Sequence, residues 1–341
     1  HCGATYECRD KPTHHANPQP SPINLNCGYN RARGIELAAG ICFYRDHHHL
    51  CVVSSSPGHF LILKGTNRKL IVVRQEMKIG LFGINTGACA DPQVAAKVAN
   101  EAEKIGLESL WTAEHVVLPE PREAPSPAEP ETPFLHPSTL LSYIASTTNT
   151  IKLGTGITLI AQRNPVVLAK EMGSLDVISS GRLLLGVGAG YLHQEFSALG
   201  IDFSSRGVRT DESIEVMRAL WNQPNPEFQG QFTQFKDIQA QPRPSQAGGP
   251  PIIIGGMSPA ALRRTVTHGN GWYGFALDVD TTKRVLENLE IAKSRYERDP
   301  SLGDISISVT PPAKPTKTMM EDYAASGVQR FIPILASTDE Q

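Results

Sequence analysis

From Met77 onward, short apolar runs such as Ile252-Ile253-Ile254 alternate with longer stretches in which apolar residues recur every three or four positions. Runs of the first kind suit strands, and stretches of the second kind suit helices. The pattern predicts strands at 79–85, 108–112, 151–158, 182–188, 251–255, 271–276, 304–309 and 328–334. Helices are predicted between them at 91–105, 137–148, 165–179, 206–221, 258–268, 279–297 and 316–326. Asp91-Pro92 and Ser258-Pro259 each supply a capping side chain followed by a proline suited to the first helical turn, and Gly106 and Gly327 stop two helices. Eight strands alternating with helices over about 265 residues match an α/β fold, the (β/α)8 TIM barrel, in count and size. A doubly wound parallel sheet is the alternative.

Two insertions interrupt the alternation. Residues 119–137 hold seven prolines, Pro119 to Pro137, mixed with Glu120, Glu123, Glu129 and Glu131, and predict an irregular loop after the second strand. Residues 228–235 alternate aromatic and polar residues around Gly230 and predict a small hairpin.

Residues 1–76 differ from residues 77–341. They carry nine Lys+Arg against five Asp+Glu, whereas the rest of the chain carries 23 against 29. An acidic main body disfavours nucleic acid as a partner. Five of the six cysteines also precede Met77, so the main body looks cytoplasmic. No apolar run approaches the roughly 20 residues of a membrane span, and Glu36 and Gly40 interrupt the only stretch resembling a secretory signal. Zinc is the sharp reading of so many early Cys and His, yet no two cysteines sit at the spacing that presents two thiolates from one turn, so no metal is expected. Residues 1–76 are expected to be a low-structure extension, upstream of a body that starts at Met77.

In a barrel, chemistry collects beyond the C-terminal ends of the strands. Strand two runs into Glu114-His115, and a histidine beside a carboxylate can move a proton near neutral pH. Strand three carries Gly154 and Gly156, which weaken it unless a bulge or a close approach, such as that of a flat ring, requires them. Strand four ends in Gly188-Ala189-Gly190-Tyr191, where Tyr191 spoils a dinucleotide fingerprint and small residues open space beside Tyr191, His193 and Gln194. Strand five ends in Gly255-Gly256-Met257-Ser258-Pro259, a helix start whose free N–H groups suit a phosphate.

Together these stretches resemble the luciferase-like flavin and deazaflavin oxidoreductases, the bacterial luciferase superfamily. The resemblance covers residues 77 to about 335. Its most specific part is the run from Ile151 to Trp221, including Arg206, Arg209, Asp211 and Glu212, whose wording is closest to the branch that uses coenzyme F420. The resemblance implies hydride transfer between F420 and a small organic substrate at the barrel mouth, with Glu114 and His115 beside the reacting ring. It further implies a bulge at Gly156 and Ile157, often with a cis peptide, that supports the ring from behind. Gly188, Ala189 and Gly190 would line the cofactor side chain, Gln194 would reach its hydroxyls, and Gly255, Gly256 and Met257 would clamp its phosphate. Tyr191 and His193 would line the substrate.

FMN with a monooxygenase reaction is the alternative, and an inactive or ligand-binding barrel is the reading from another class. Tyr191 stands where a sugar-phosphate dehydrogenase branch has a carboxylate, which disfavours that substrate. Family members continue past strand eight into a closing helix that is expected to be missing here, leaving apolar surface near strands one and eight that could support a homodimer.

Overall fold

The computed structural model describes residues 77–335 throughout and, ahead of them, only strands between Gly40 and Arg74. The body is a closed barrel of eight parallel strands: β1 (Lys78–Phe82), β2 (Ser109–Thr112), β3 (Lys152–Thr155), β4 (Leu183–Gly188), β5 (Ile252–Gly255), β6 (Gly271–Gly274), β7 (Ser306–Val309) and β8 (Arg330–Phe331). Each pairs with the next, and β8 pairs with β1 to close the ring. The surrounding helices are α1 (Pro92–Lys104), α2 (Pro137–Thr147), α3 (Pro165–Ile178), α4 (His193–Ala198), α5 (Arg206–Asn222), α6 (Pro259–His268), α7 (Val279–Arg295) and α8 (Lys317–Ala325). This is the TIM barrel the alternation predicts, not the doubly wound sheet.

Local chemistry explains where helices begin. Asp91 accepts from the N–H groups of Gln93 and Val94, Asn164 from those of Val166 and Val167, and Ser258 from that of Ala261. Each cap precedes a proline, so one orphan donor is absent, and the side chain meets two others at Asp91 and Asn164 and one at Ser258. α4 has no capping side chain at Leu192, and no signal in the sequence announces it.

Alternation along the strands sorts side chains into two layers. Ile252 and Ile254 join the core beneath the helices, whereas Ile253 joins Phe82, Trp111, Leu184, Tyr273 and Ile332 inside the barrel. Trp111 stacks on Tyr273 with ring centroids 5.6 Å apart. A Cβ on Gly154 would lie 2.5 Å from the Trp111 ring, so the flat ring for which β3 keeps its glycine is the protein's own indole. The interior is therefore full, and a ligand has room only above it.

At the opposite end, Glu108 receives two 2.8 Å hydrogen bonds from Arg330, tying β2 to β8 across the N-terminal face. Burial pushes the Glu108 carboxyl up, but the guanidinium outweighs it and holds the group below its ordinary value.

Several boundaries differ from the sequence reading. The stretch predicted as one strand at 151–158 stops at Thr155, turns through a cis peptide between Gly156 and Ile157, and resumes as Thr158–Leu159 beside β4. The hairpin forms as expected, with Phe228–Gln229 antiparallel to Gln234–Phe235. No helix follows β8 among the described residues, and an open groove lined by Met77, Pro315, Met320 and Ala324 lies beside α8.

Ahead of Met77, Gly40–Arg45, His48–Ser56, His59–Lys64 and Lys69–Arg74 form a four-stranded sheet in chain order, its first pair antiparallel. This departs from the expectation of little regular structure, and runs such as Leu70-Ile71-Val72-Val73 supply the β-branched residues that favour strands. The zinc question falls on side chains outside the described residues.

Replacing Arg330 with Met should destabilise the barrel by about 3 kcal/mol at neutral pH, because Glu108 is left half-desolvated with only the longer 3.9 Å contact to Lys78. The folded carboxyl titrates below its unfolded value, so the pair's contribution is complete above the ordinary glutamate range and fades as pH falls through the folded value. Urea melts of both proteins from neutral to acidic pH should therefore converge at the acid end. A gap that does not narrow would remove Glu108 as the partner.

Candidate active site

The long connection after β2 begins and ends on one buried side chain. Asn85, fully buried beyond β1, donates to the carbonyls of Ala113 and Leu135 at 2.8 and 2.7 Å and accepts from the N–H of Ala113 at 2.8 Å. A backbone bridge between Thr86 and Phe134 reinforces the far end. Between these anchors lie Glu114 and His115, followed by the proline-rich loop.

Glu114 is buried, and its Oε1 accepts from Arg163 Nη2 at 2.5 Å and from the N–H of Leu159 at 3.3 Å. Arg163 also donates to His136 Nε2 at 3.0 Å. That bond requires His136 to be neutral with its proton on Nδ1, which faces the Ser138 hydroxyl at 3.0 Å, and Ser138 in turn donates to Glu171. A chain of polar contacts thus runs from the buried Glu114 to α3. None of Arg163, His136, Ser138 or Glu171 was singled out from sequence as a site residue, because they come from three separate segments.

The His115 side chain is nearly buried, with Nδ1 3.3 Å from Glu195 Oε1 but not aligned to hydrogen bond with it. Its Nε2 lies 3.4 Å from the Tyr191 hydroxyl, and its ring meets Phe134 and Tyr191 edge-on. Burial, then the charge of Glu195, push the Tyr191 phenol above its ordinary value, so it is a neutral donor at physiological pH. Glu195 sits two positions from His193 in the sequence, yet it is the one that reaches the histidine of β2.

Six buried side-chain atoms have no hydrogen-bond partner among the described residues: Thr112 Oγ1, Glu114 Oε2, His115 Nδ1, Thr158 Oγ1, Gln162 Oε1 and Arg163 Nε. All belong to the C-terminal end of β2 or to the segment after β3. Unpaired buried polar atoms are costly and rare, so a group of them at one place marks a site for water or a ligand. Around the same end of the barrel, Val116, Tyr191, Met257 and Phe275 are exposed apolar residues following β2, β4, β5 and β6. Phe275 packs on Phe82 at 4.9 Å, at the top of the filled interior, and was missed because one aromatic residue after a strand carries no pattern.

The glycines of β4 pack against neighbouring chain rather than opening space. A Cβ on Gly186 would lie 1.9 Å from the Thr155 carbonyl oxygen, and one on Gly188 would lie 2.0 Å from Ile157 Cδ1. The space is taken by the turn at Gly156-Ile157 rather than left open. The cis peptide itself is the geometry the resemblance implies there. Ala189 and Gly190 are half-exposed beyond β4.

Other sequence candidates are placed apart from His115. His193 is exposed and stacks on Phe203 at 3.5 Å, with the Arg206 guanidinium also over that ring. Gln194 donates to Glu123 of the proline-rich loop at 3.0 Å. The Gly256 N–H is directed to the Tyr273 carbonyl at 3.4 Å, so the N–H groups without a partner among the described residues are those of Met257 and Ser258. Asp211 pairs with Arg263 and Arg264 of α6, and Glu212 accepts from the N–H groups of Gln231 and Phe232, which makes both structural. Among the described residues no group of three or more His, Cys, Asp or Glu could hold a metal ion, and no helix is long and apolar enough to cross a membrane.

The family model for luciferase-like monooxygenases matches residues 77–339. The chain belongs to that family. An uncharacterized protein of Mycobacterium tuberculosis is 28% identical over 229 residues, covering 64% of this chain and 80% of that protein. The F420-dependent glucose-6-phosphate dehydrogenase of Amycolatopsis mediterranei is 28% identical, covering 60% of this chain and 62% of its own. The oxygenase component of a flavin-dependent trigonelline monooxygenase from Acinetobacter baylyi is 29% identical, covering 57% and 52%. Among solved structures, an F420-dependent secondary alcohol dehydrogenase superposes with a TM-score of 0.62 at 18% identity, over 77% of this chain and 94% of that one, which shows the shared fold. The family thus includes both F420-dependent and flavin-dependent relatives.

The packing behind Ile157 can be tested. Gly188→Ala should destabilise the protein by about 1–3 kcal/mol, as expected for overpacking. Adding Ile157→Val, which removes the colliding Cδ1, should recover most of that loss in urea melts. Gly186→Ala should not be recovered by the same change, because its obstacle is a backbone carbonyl.

Proposed function

We propose that this luciferase-like protein is an oxidoreductase that binds coenzyme F420 at the C-terminal mouth of the barrel and acts on a small organic molecule. The observation that carries the reading is the group of orphaned polar atoms beside His115, set next to exposed apolar side chains. A tricyclic ring with one edge of alternating carbonyl and N–H groups fits such a set. Glu114 Oε2 and Gln162 Oε1 can accept, Arg163 Nε can donate, and the two threonine hydroxyls can do either. Phe275 and Ile157 offer apolar surface to its face, and the N–H groups of Met257 and Ser258 at the start of α6 suit a phosphate. The wording of residues 151–221 favours F420 over FMN, which is the second reading because a flavin-dependent monooxygenase is also among the relatives.

When bound, the cofactor would supply hydride transfer at its central ring. The protein's part is to orient and to move a proton. Arg163 holds Glu114 in place, leaving one carboxylate oxygen free for a ligand. The filled interior of Trp111, Tyr273 and Phe82 excludes water from below. His115 carries the acid or base role at Nε2, the nitrogen that faces the Tyr191 hydroxyl. A small-molecule substrate, a cytoplasmic setting and self-association belong to this proposal as well.

The purified full chain titrated separately with F420 and FMN should bind F420 more tightly, read from the change in cofactor absorption. Tighter FMN binding would favour the monooxygenase, and binding of neither at millimolar concentration would leave a barrel with another role. Single-turnover hydride transfer at saturating F420 should slow by about 100-fold or more in His115→Ala, roughly 3 kcal/mol of barrier. An unchanged rate with weakened binding would make His115 a ring-positioning residue only.

A further inference from the structure

Glu195 lies in the first turn of α4, and its side chain is fully buried. A carboxylate removed from water must be paired or protonated. Its contacts are few. Oε1 accepts from the Val116 N–H at 2.9 Å, Oε2 stands 3.5 Å from the Gln162 amide, and His115 Nδ1 lies 3.3 Å from Oε1. Among the described residues no lysine or arginine lies within ion-pair distance of it. Glu114, the other carboxylate here, has its own cation in Arg163. On the remaining sides of His115 stand the Tyr191 hydroxyl and the Phe134 ring. His115 is therefore the group that can balance Glu195.

The same oxygen that faces the imidazole also takes the N–H of the next residue, so one carboxylate acts on both the ring and the peptide behind it. A carboxylate at Nδ1 keeps the proton on that nitrogen and leaves Nε2 for other work. The contact is not aligned to hydrogen bond in this structure, and loosely set catalytic contacts commonly tighten when a ligand binds. We propose that Glu195 is the positioning residue for His115, fixing its Nδ1–H tautomer and turning Nε2 toward Tyr191 and the barrel mouth. The catalytic value of this arrangement rests on the proton-transfer role proposed above, whereas the pairing itself does not.

The test begins without cofactor. In the full chain labelled with 15N-histidine, the His115 signals are assigned by their loss in His115→Gln, and the two ring nitrogens report the tautomer and the titration. Wild-type protein is expected to show the Nδ1–H form. Glu195→Gln keeps an acceptor for the Val116 N–H but loses the charge, so the His115 midpoint should fall and the tautomers should mix. In single-turnover experiments the same variant should lose about tenfold in rate, with KM changed less than twofold and the pH profile displaced in the same direction. An Nε2–H tautomer in wild-type protein overturns the proposal even if the variant fails to fold. So does an unshifted midpoint in a folded variant. If the NMR result is as expected while His115→Ala turns over normally, the pairing stands and the proton-transfer reading falls.

Discussion

The whole catalytic end of this molecule depends on how tightly the barrel is filled beneath it. Trp111 lies against Gly154 and stacks on Tyr273, and Ile157 fits where Gly186, Gly188 and Gly255 lack side chains. These contacts leave no cavity within the ring of strands. The orphaned polar atoms of the turn after β3 and the loop after β2 lie above this filled interior. Close packing thus sets the depth of the site before any polar group takes part.

On that floor stand two buried carboxylates with separate cations. Glu114 is held by an arginine that is always charged, and Glu195 faces the imidazole of His115. The difference divides the labour. Under the proposed function, the first carboxylate would hold a ligand and the second would orient the histidine.

Much of the barrel was legible because its signals are local. The eight apolar runs, the cap-proline pairs at Asp91 and Ser258, and the proline-rich loop all act within a few residues of where they are read. The family resemblance was legible for the same reason, and it implied the bend at Gly156-Ile157 that the apolar pattern, read as one strand, did not show. What the sequence hid was long-range. Glu195 meets His115 from 80 positions away, and Arg163 meets His136 from 27. Neither pairing leaves a spacing that a single chain reveals. The glycines of β4 misled in an instructive way. Small residues were read as room for a guest, but the guest is Ile157, so absent side chains indicate close approach without saying what approaches. Ahead of Met77, Pro57-Gly58 and Gly65-Thr66-Asn67 stand between strands, but the runs they separate lack a regular alternation of apolar and polar residues.

Asn85 gives the loop after β2 an unusual kind of freedom. One buried amide holds residues 113 and 135 together, so closing the loop depends little on what lies between them. Lengthening a closed loop costs only slowly more entropy, about 0.6 kcal/mol per doubling. Insertions and replacements between Pro119 and Pro133 could therefore accumulate during evolution and reshape the rim that a substrate meets, while His115, next to the anchored end, stays in register with the barrel. The proline-rich segment is in that sense an exchangeable part, and relatives could diverge in what they accept by rewriting it alone.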